Sequence, residues 1–388
     1  MIELFQGPVG LFLLIMSVIL ITPLLSKYLK LPGIVGIIIG GILIGPHGLN
    51  MIPADGNIEF LSTIGLVYLM FSVGLGVDIH QFINVRGRAI VFGFLTFMFP
   101  ELMGMGLGWL LHLDLLGMIL LGSAFASHTL IAFPILTHLK ATRNEAVAIT
   151  AGATVLTDIC AFIVLAIVLA AKSDGFHISY FIQLFILLIV FTLAVLLGLP
   201  RLGKLFFKRF PGPATEFQFV IVMLFVAALT AKLIGIHEVV GAFLAGLAIN
   251  AILPKNNPVT EHVLFIGESL FIPIFLLYSG MITDPLTFLT SPQTIVVALG
   301  VTFVAYVSKF LAAWVTKCIY HYTKSEFWTI YGLSHAQAAV TIPTLVIGLQ
   351  LKLFDTVLFN AAILMILLTS LTSPLLVQRF GPGLKTNL

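Results

Sequence analysis

Apolar segments of membrane-crossing length recur along this chain with short polar joints between them, and that repetition fixes what it can fold into. At about 20 apolar residues per crossing, thirteen segments fit, roughly 8–27, 32–46, 57–77, 88–111, 115–138, 145–171, 177–199, 216–235, 238–253, 261–281, 292–316, 326–350 and 355–377. Inside a bilayer every backbone N–H and C=O must be satisfied within the protein, so segments of this kind fold as helices. The chain is 60% hydrophobic and 9% charged, against roughly a quarter charged in soluble domains. The sequence therefore predicts an all-α polytopic membrane protein. Acidic Glu3, rather than a basic stretch, precedes the first segment, and no small-residue cleavage pattern follows it, so it reads as a retained helix.

Composition also removes several classes of function. Cys160 and Cys318 are too few and too far apart for a disulfide framework or a metal-binding CxxC pair. The net charge of +3 is not gathered into a basic block, so nucleic acid is not expected as a partner. No cofactor motif is present.

Charge distribution orients the segments. Cytoplasmic joints hold an excess of Lys and Arg. With the N-terminus outside and the C-terminus in the cytoplasm, Lys172, Lys232 and Lys352 lie near the outer side and Lys309 lies within a segment; the other fifteen of the 19 basic residues (19 − 4) fall on the inner side. The longest polar joint, RLGKLFFKRFPGPAT (Arg201 to Thr215), divides the chain nearly in half. Across it the halves match. PGIVGIIIGGILI (Pro32 to Ile44) parallels HEVVGAFLAGLAI (His237 to Ile249) at an offset of 205, GLGVD (Gly74 to Asp78) parallels GMITD (Gly280 to Asp284) at 206, and Ser127-His128 parallels Ser334-His335 at 207. Segments 1–6 thus correspond to 8–13 with the seventh as connector. An odd offset of seven crossings places the halves in opposite orientations, an inverted repeat of the kind that builds secondary transporters with midplane sites.

Polar and ionisable residues inside the segments point to where that site lies. ASHTLIAFPILTHL (Ala126 to Leu139) and LSHAQAAVTIPTLVIG (Leu333 to Gly348) place Ser, His, Thr and Gln just before Pro134 and Pro343. Proline removes a helical hydrogen bond, so a break or kink is expected near each, and non-helical backbone at this depth must be buried or line a wet cavity. Two such breaks crossing by the repeat symmetry would present helix ends of both signs at one point. Asp158, in AGATVLTDICAF (Ala151 to Phe162), lies at the middle of the sixth segment; a carboxylate there is costly and marks an ion or proton path. Lys309 is the lysine within a segment, and its repeat mate at an offset of 208 is Glu101. A buried charge needs a partner, so Glu101 and Lys309 are expected as charge partners. His128 and His335 flank the breaks with Gln337 and are candidates for a proton relay or for lining the breaks; a purely hydrogen-bonding role is the alternative. Glu268, Asp78 and Asp284 read as structural residues.

LPGIVGIIIGGILIGPHGL, LSTIGLVYLMFSVGLGVDI, AFPIL, HEVVGAFLAGLAIN, FIPIFLLYSGMITD and the Thr157-Asp158 pair resemble the monovalent cation/proton antiporter-2 family, over essentially the whole chain. The resemblance implies a homodimer of thirteen-helix protomers in a prokaryotic inner membrane. Segments 1–3 and 8–10 (about 8–77 and 216–281) would form a dimerisation domain, 4–6 and 11–13 (about 88–171 and 292–377) an ion-carrying core with two crossing broken helices, and 177–199 a connecting helix. It further implies that Asp158 binds alternately Na⁺ or K⁺ and protons, with oxygens from Thr157, Ser127 and Thr129. Some relatives carry an acid at the Thr157 position, facing the basic residue that Lys309 matches. A single carboxylate suggests electroneutral one-for-one exchange. Glu101 is then either the partner of Lys309 or a second ligand. Many members carry a cytoplasmic domain after the last helix; the sequence ends at Leu388, eleven residues past the last segment (388 − 377), so that domain is expected to be absent or removed.

Two other classes fit less well. An intramembrane aspartyl protease needs two aspartates sharing a proton, and Asp158 has no second mid-segment aspartate. An organic-anion transporter of related architecture would place anions at broken helix ends and would favour a basic site, against the central acid.

Overall fold

The computed structural model describes residues 7–29, 31–52, 56–76, 79–141, 144–174, 178–234, 238–253, 257–286 and 292–384. They are helical apart from the joints and two internal interruptions. The helices are α1 (Pro8–Tyr28), α2 (Gly33–Ile44), α3 (Gly56–Leu75), α4 (Ile79–Leu110), α5 (Leu115–Ala126), α6 (Phe133–His138), α7 (Glu145–Asp174), α8 (Ile178–Leu193), α9 (Leu199–Arg209), α10 (Pro213–Leu233), α11 (Glu238–Asn250), α12 (Pro258–Ile266), α13 (Ile272–Met281), α14 (Pro292–Tyr320), α15 (Lys324–Ser334), α16 (Thr341–Gln350) and α17 (Thr356–Phe380). Single π-helical turns join α8 to α9 (Ala194–Gly198) and α12 to α13 (Gly267–Phe271).

Among the described residues, 9 helical stretches are long and apolar enough to cross a membrane, and α2, α5, α11 and α16 are shorter apolar helices. Each overlaps one of the segments expected from the sequence. The seventh runs further than expected: the joint assigned from Arg201 is helical to Arg209. Its apolar residues Leu202, Leu205, Phe206 and Phe207 alternate with Arg201, Lys204 and Lys208 at helical spacing, a pattern that overrides its polar composition. Asp284 lies in the joint after α13, where its carboxylate accepts from Leu286 N at 3.0 Å and stands 3.8 Å from His47 Nδ1. Glu268 falls in the second π turn. Asp78 and His237 lie outside the described residues.

Close helix crossings rest on glycine. In a membrane, association depends on packing rather than on a hydrophobic drive between helices, and small residues let backbones approach. At the α2–α13 crossing, a Cβ on Gly41 would lie 2.1 Å from Leu277 O, and one on Gly280 would lie 2.1 Å from Ile38 O. At the α3–α11 crossing, a Cβ on Gly246 would lie 2.2 Å from Phe71 O, and one on Gly74 would lie 2.2 Å from Phe243 O. The sequence offsets interchange these pairs: 246 − 41 and 243 − 38 are both 205, while 280 − 74 and 277 − 71 are both 206. Each half of the chain therefore makes the same contact with the other. Gly246→Ala should force the α3 and α11 backbones apart, with a loss of about 1–3 kcal/mol typical of overpacking, read as an earlier thermal unfolding transition in detergent.

Candidate functional site

Helix α5 ends at Ala126, and Ser127 (φ −67°, ψ 156°) turns the chain into an extended stretch before α6. Its counterpart α15 ends at Ser334, and non-helical residues lead to α16. Both breaks precede the prolines. Pro134 is the second residue of α6 and Pro343 the third of α16, first-turn positions where a missing N–H costs little. The prolines start the second half-helices; the Ser-His-Thr and His-Ala-Gln stretches form the breaks themselves.

The two extended stretches are bonded to each other. Thr129 N donates to Ala336 O at 2.7 Å, and Ala338 N and Ala339 N donate to Thr129 Oγ1 at 3.2 and 2.8 Å. Both lone pairs of the Thr129 hydroxyl are thereby taken. The carboxyl end of α5, whose last carbonyls have no partner within the helix, is covered by side chains from the other half of the chain. Thr341 Oγ1 donates to Ala124 O at 2.9 Å, Gln337 Nε2 to Phe125 O at 3.1 Å, and Lys309 Nζ to Ala126 O. A cation at this position also opposes the partial negative charge of the helix end.

Asp158 projects from α7 onto this crossing, 4% exposed, and its Oδ1 accepts from Ser127 Oγ at 2.7 Å. One turn earlier Thr154 donates to Thr150 O at 3.0 Å and stands 2.9 Å from His128 Nε2. His128 Nδ1 is buried without a hydrogen-bond partner. Thr157 is fully buried and donates to Thr154 O at 2.9 Å. Its single hydrogen is used, and among the described residues no donor reaches its oxygen lone pairs.

Lys309 is fully buried, and it is not paired with Glu101. Besides Ala126 O, its Nζ donates to Thr96 O at 3.0 Å and Thr96 Oγ1 at 3.2 Å. Among the described residues no carboxylate oxygen lies within 4.0 Å of it. Glu101 is five residues beyond Thr96 on α4, about 7.5 Å along the axis at 1.5 Å per residue, and packs against Gly122 of α5. Its Oε2 is buried without a hydrogen-bond partner. Matching positions in the repeat thus point to different places. Lys309 instead lies within electrostatic reach of Asp158, His128 and His335.

His335 is held on both ring nitrogens. Nδ1 donates to Tyr331 O at 2.8 Å, so in the neutral ring Nε2 accepts from Thr372 Oγ1 at 2.9 Å; Tyr306 OH then donates to Thr372 at 2.6 Å. Its ring also stacks on Tyr331. Both ring nitrogens are thereby engaged. Gln337 is likewise fixed through Nε2, while its Oε1 is buried without a partner.

Thr96, Thr154, Thr341 and Thr372 were not singled out from the sequence. For Thr154 the signal was present, since Thr150, Thr154 and Asp158 at intervals of four share one helix face. The others depend on pairings between halves.

Beside Asp158 on α7, Ile159, Phe162 and Ile163 face a cavity of about 350 Å³ lined also by α8 and by Val240, Phe243, Leu244 and Leu247 of α11, with Thr192 its one polar side chain. So apolar a space is not a path for a hydrated ion. At the other end of α7, Glu145 accepts from Arg88 and from Tyr322 OH at 2.6 Å, tying α4, α7 and the α14–α15 joint together. Burial, with Glu145 alongside, pushes the Tyr322 phenol up from its ordinary value and keeps it a donor.

The family model described as "Sodium/hydrogen exchanger, transmembrane" matches residues 14–378. The chain belongs to the sodium/hydrogen exchanger family, a class of monovalent cation/proton antiporters and not of enzymes. It is 37% identical over 384 residues to Na(+)/H(+) antiporter NhaS5 of Synechocystis, covering 96% of this chain and 54% of that protein. The chain thus spans about half the length of that relative. It is 28% identical over 373 residues to probable Na(+)/H(+) antiporter 3 of Methanocaldococcus jannaschii, covering 95% of each. In three dimensions it resembles the sodium proton antiporter MjNhaP1 from Methanocaldococcus jannaschii, with a TM-score of 0.72 at 16% identity over 97% of both chains. At that identity the likeness concerns the fold alone.

Proposed function

We propose that the chain exchanges Na⁺ or K⁺ for protons across the membrane by alternating access, with the Asp158 carboxylate as the site both ligands share. The observation that carries this is a buried carboxylate, held by Ser127, at the crossing of two interrupted helices. Deprotonated, Asp158 takes a partly dehydrated cation. Ser127 and Thr157 add neutral oxygens, since each has spent its one hydrogen elsewhere and keeps lone pairs for a metal ion. Protonated, the same site crosses without a cation. Charge neutrality makes the two states exclusive, and that exclusion is the coupling. One carboxylate carrying one charge makes the exchange electroneutral.

Thr129 holds the crossing together in this reading, and Lys309 and Gln337 cover the end of α5. Glu101 takes no part in coupling. All thirteen segments cross the membrane as an inverted repeat, N-terminus outside and C-terminus in the cytoplasm; the interchanged glycine crossings support the repeat. The core, α4–α7 with α14–α17, carries the site against a dimerisation domain of α1–α3 with α10–α13, and α8–α9 connect the halves.

The test is dissipation of a pH gradient in proteoliposomes by Na⁺, K⁺, Li⁺ and Rb⁺ in turn, with the voltage clamped or free. Saturable proton movement with at least one alkali cation, none with choline, and no effect of the clamp are expected. Flux driven by an organic anion and by no cation would contradict the reading.

A further inference from the structure

The amphipathic helix α9, LPRLGKLFFKR, is not used by the exchange reaction. One side of it is packed. Leu199 and Gly203 are buried, a Cβ on Gly203 would come 2.4 Å from Ile252 Cδ1, and the Phe206 ring stacks on Phe219 of α10 at 4.4 Å. The other side carries Arg201, Lys204, Lys208 and Arg209, all exposed, interleaved with Leu202 and Leu205, which are 56% and 68% exposed. Among the described residues none of the four cations makes an ion pair; Arg201 donates only to Leu197 O.

In water, Leu202 and Leu205 would gain nothing from lying exposed on this basic face. At a membrane surface they would: the leucines enter the boundary of the acyl chains, and the cations face the phosphates. Position agrees, because α9 continues the apolar α8 through the π turn Ala194–Gly198 and carries its cations past residue 199, where the seventh apolar segment of the sequence ends. We infer that the outer face of α9 binds the headgroup of an anionic phospholipid. The exposed leucines commit the site to a lipid rather than to free phosphate.

Retention of phosphatidylglycerol by the full chain, purified in detergent and titrated with the lipid by native mass spectrometry, tests this without reference to transport, so its outcome is separate from that of the antiport reading. Phosphatidylglycerol should bind in preference to phosphatidylcholine, and inorganic phosphate should not displace it. Lys204→Gln/Lys208→Gln/Arg209→Gln should weaken binding by about fivefold per charge removed, roughly a hundredfold in all. Leu205→Gln, with every cation intact, should also weaken it, which a free-anion site would not show. All these side chains are exposed, and circular dichroism verifies the fold of each variant; should the triple variant fail to fold, Lys204→Gln/Lys208→Gln takes its place. Equal binding of phosphatidylcholine, displacement by inorganic phosphate, or unchanged binding by a folded charge-removed variant would overturn the inference.

Discussion

Asp158→Asn should reduce cation-driven proton flux to the level of empty liposomes while leaving the protein folded. The amide cannot take up or release a proton in the working range, and its neutral oxygen offers a partly dehydrated cation no charge to offset the lost hydration. The scaffold around it should survive, because Ser127 Oγ can donate to an amide oxygen in the place of Asp158 Oδ1, 2.7 Å away, and the bonds between the two breaks involve Thr129, Ala336, Ala338 and Ala339 instead. Removing a buried charge should leave thermal stability unchanged or higher. A fall in activity accompanied by loss of the folded dimer or monomer peak in size exclusion would point to a structural carboxylate.

Lys309→Met carries the second large effect, and in a different quantity. The ammonium group is the hydrogen-bond donor to Ala126 O and Thr96 O, and a thioether of similar length supplies none. Each buried carbonyl left bare costs about 1–3 kcal/mol, so the thermal transition should fall clearly. Exchange should survive in the remaining folded protein, with tighter apparent cation binding, because a positive charge acting on Asp158 has gone. Abolished exchange in a variant of wild-type stability would instead assign Lys309 a proton-carrying role.

These two residues also mark how far the sequence could be read. Asp158 stood out because a carboxylate in the middle of an apolar segment has few physical explanations, and Ser127 and Thr129 stood out because hydroxyls before a proline announce freed backbone. The glycines were legible as a repeat, and the structure places each pair at a crossing between halves. What Lys309 touches was not legible. Repeat arithmetic paired it with Glu101, but an inverted repeat relates positions, not contacts, and whether matching side chains meet depends on rotation and depth along each helix. Lys309 found the open end of α5 instead, and a bare helix end is a property of the fold that no residue in the segment announces. The extent of α9 was missed for a simpler reason: composition marked a loop where spacing marked a helix.

The competition at Asp158 is tested most directly by the apparent KM for the transported cation as a function of pH in sealed proteoliposomes. A metal site whose ligand must be deprotonated loses affinity as protons compete. Where the carboxyl is largely protonated, each tenfold rise in proton concentration should raise the apparent KM by about tenfold with Vmax unchanged, and KM should level off at higher pH. A KM that does not move with pH, with protons changing Vmax alone, would contradict a shared site.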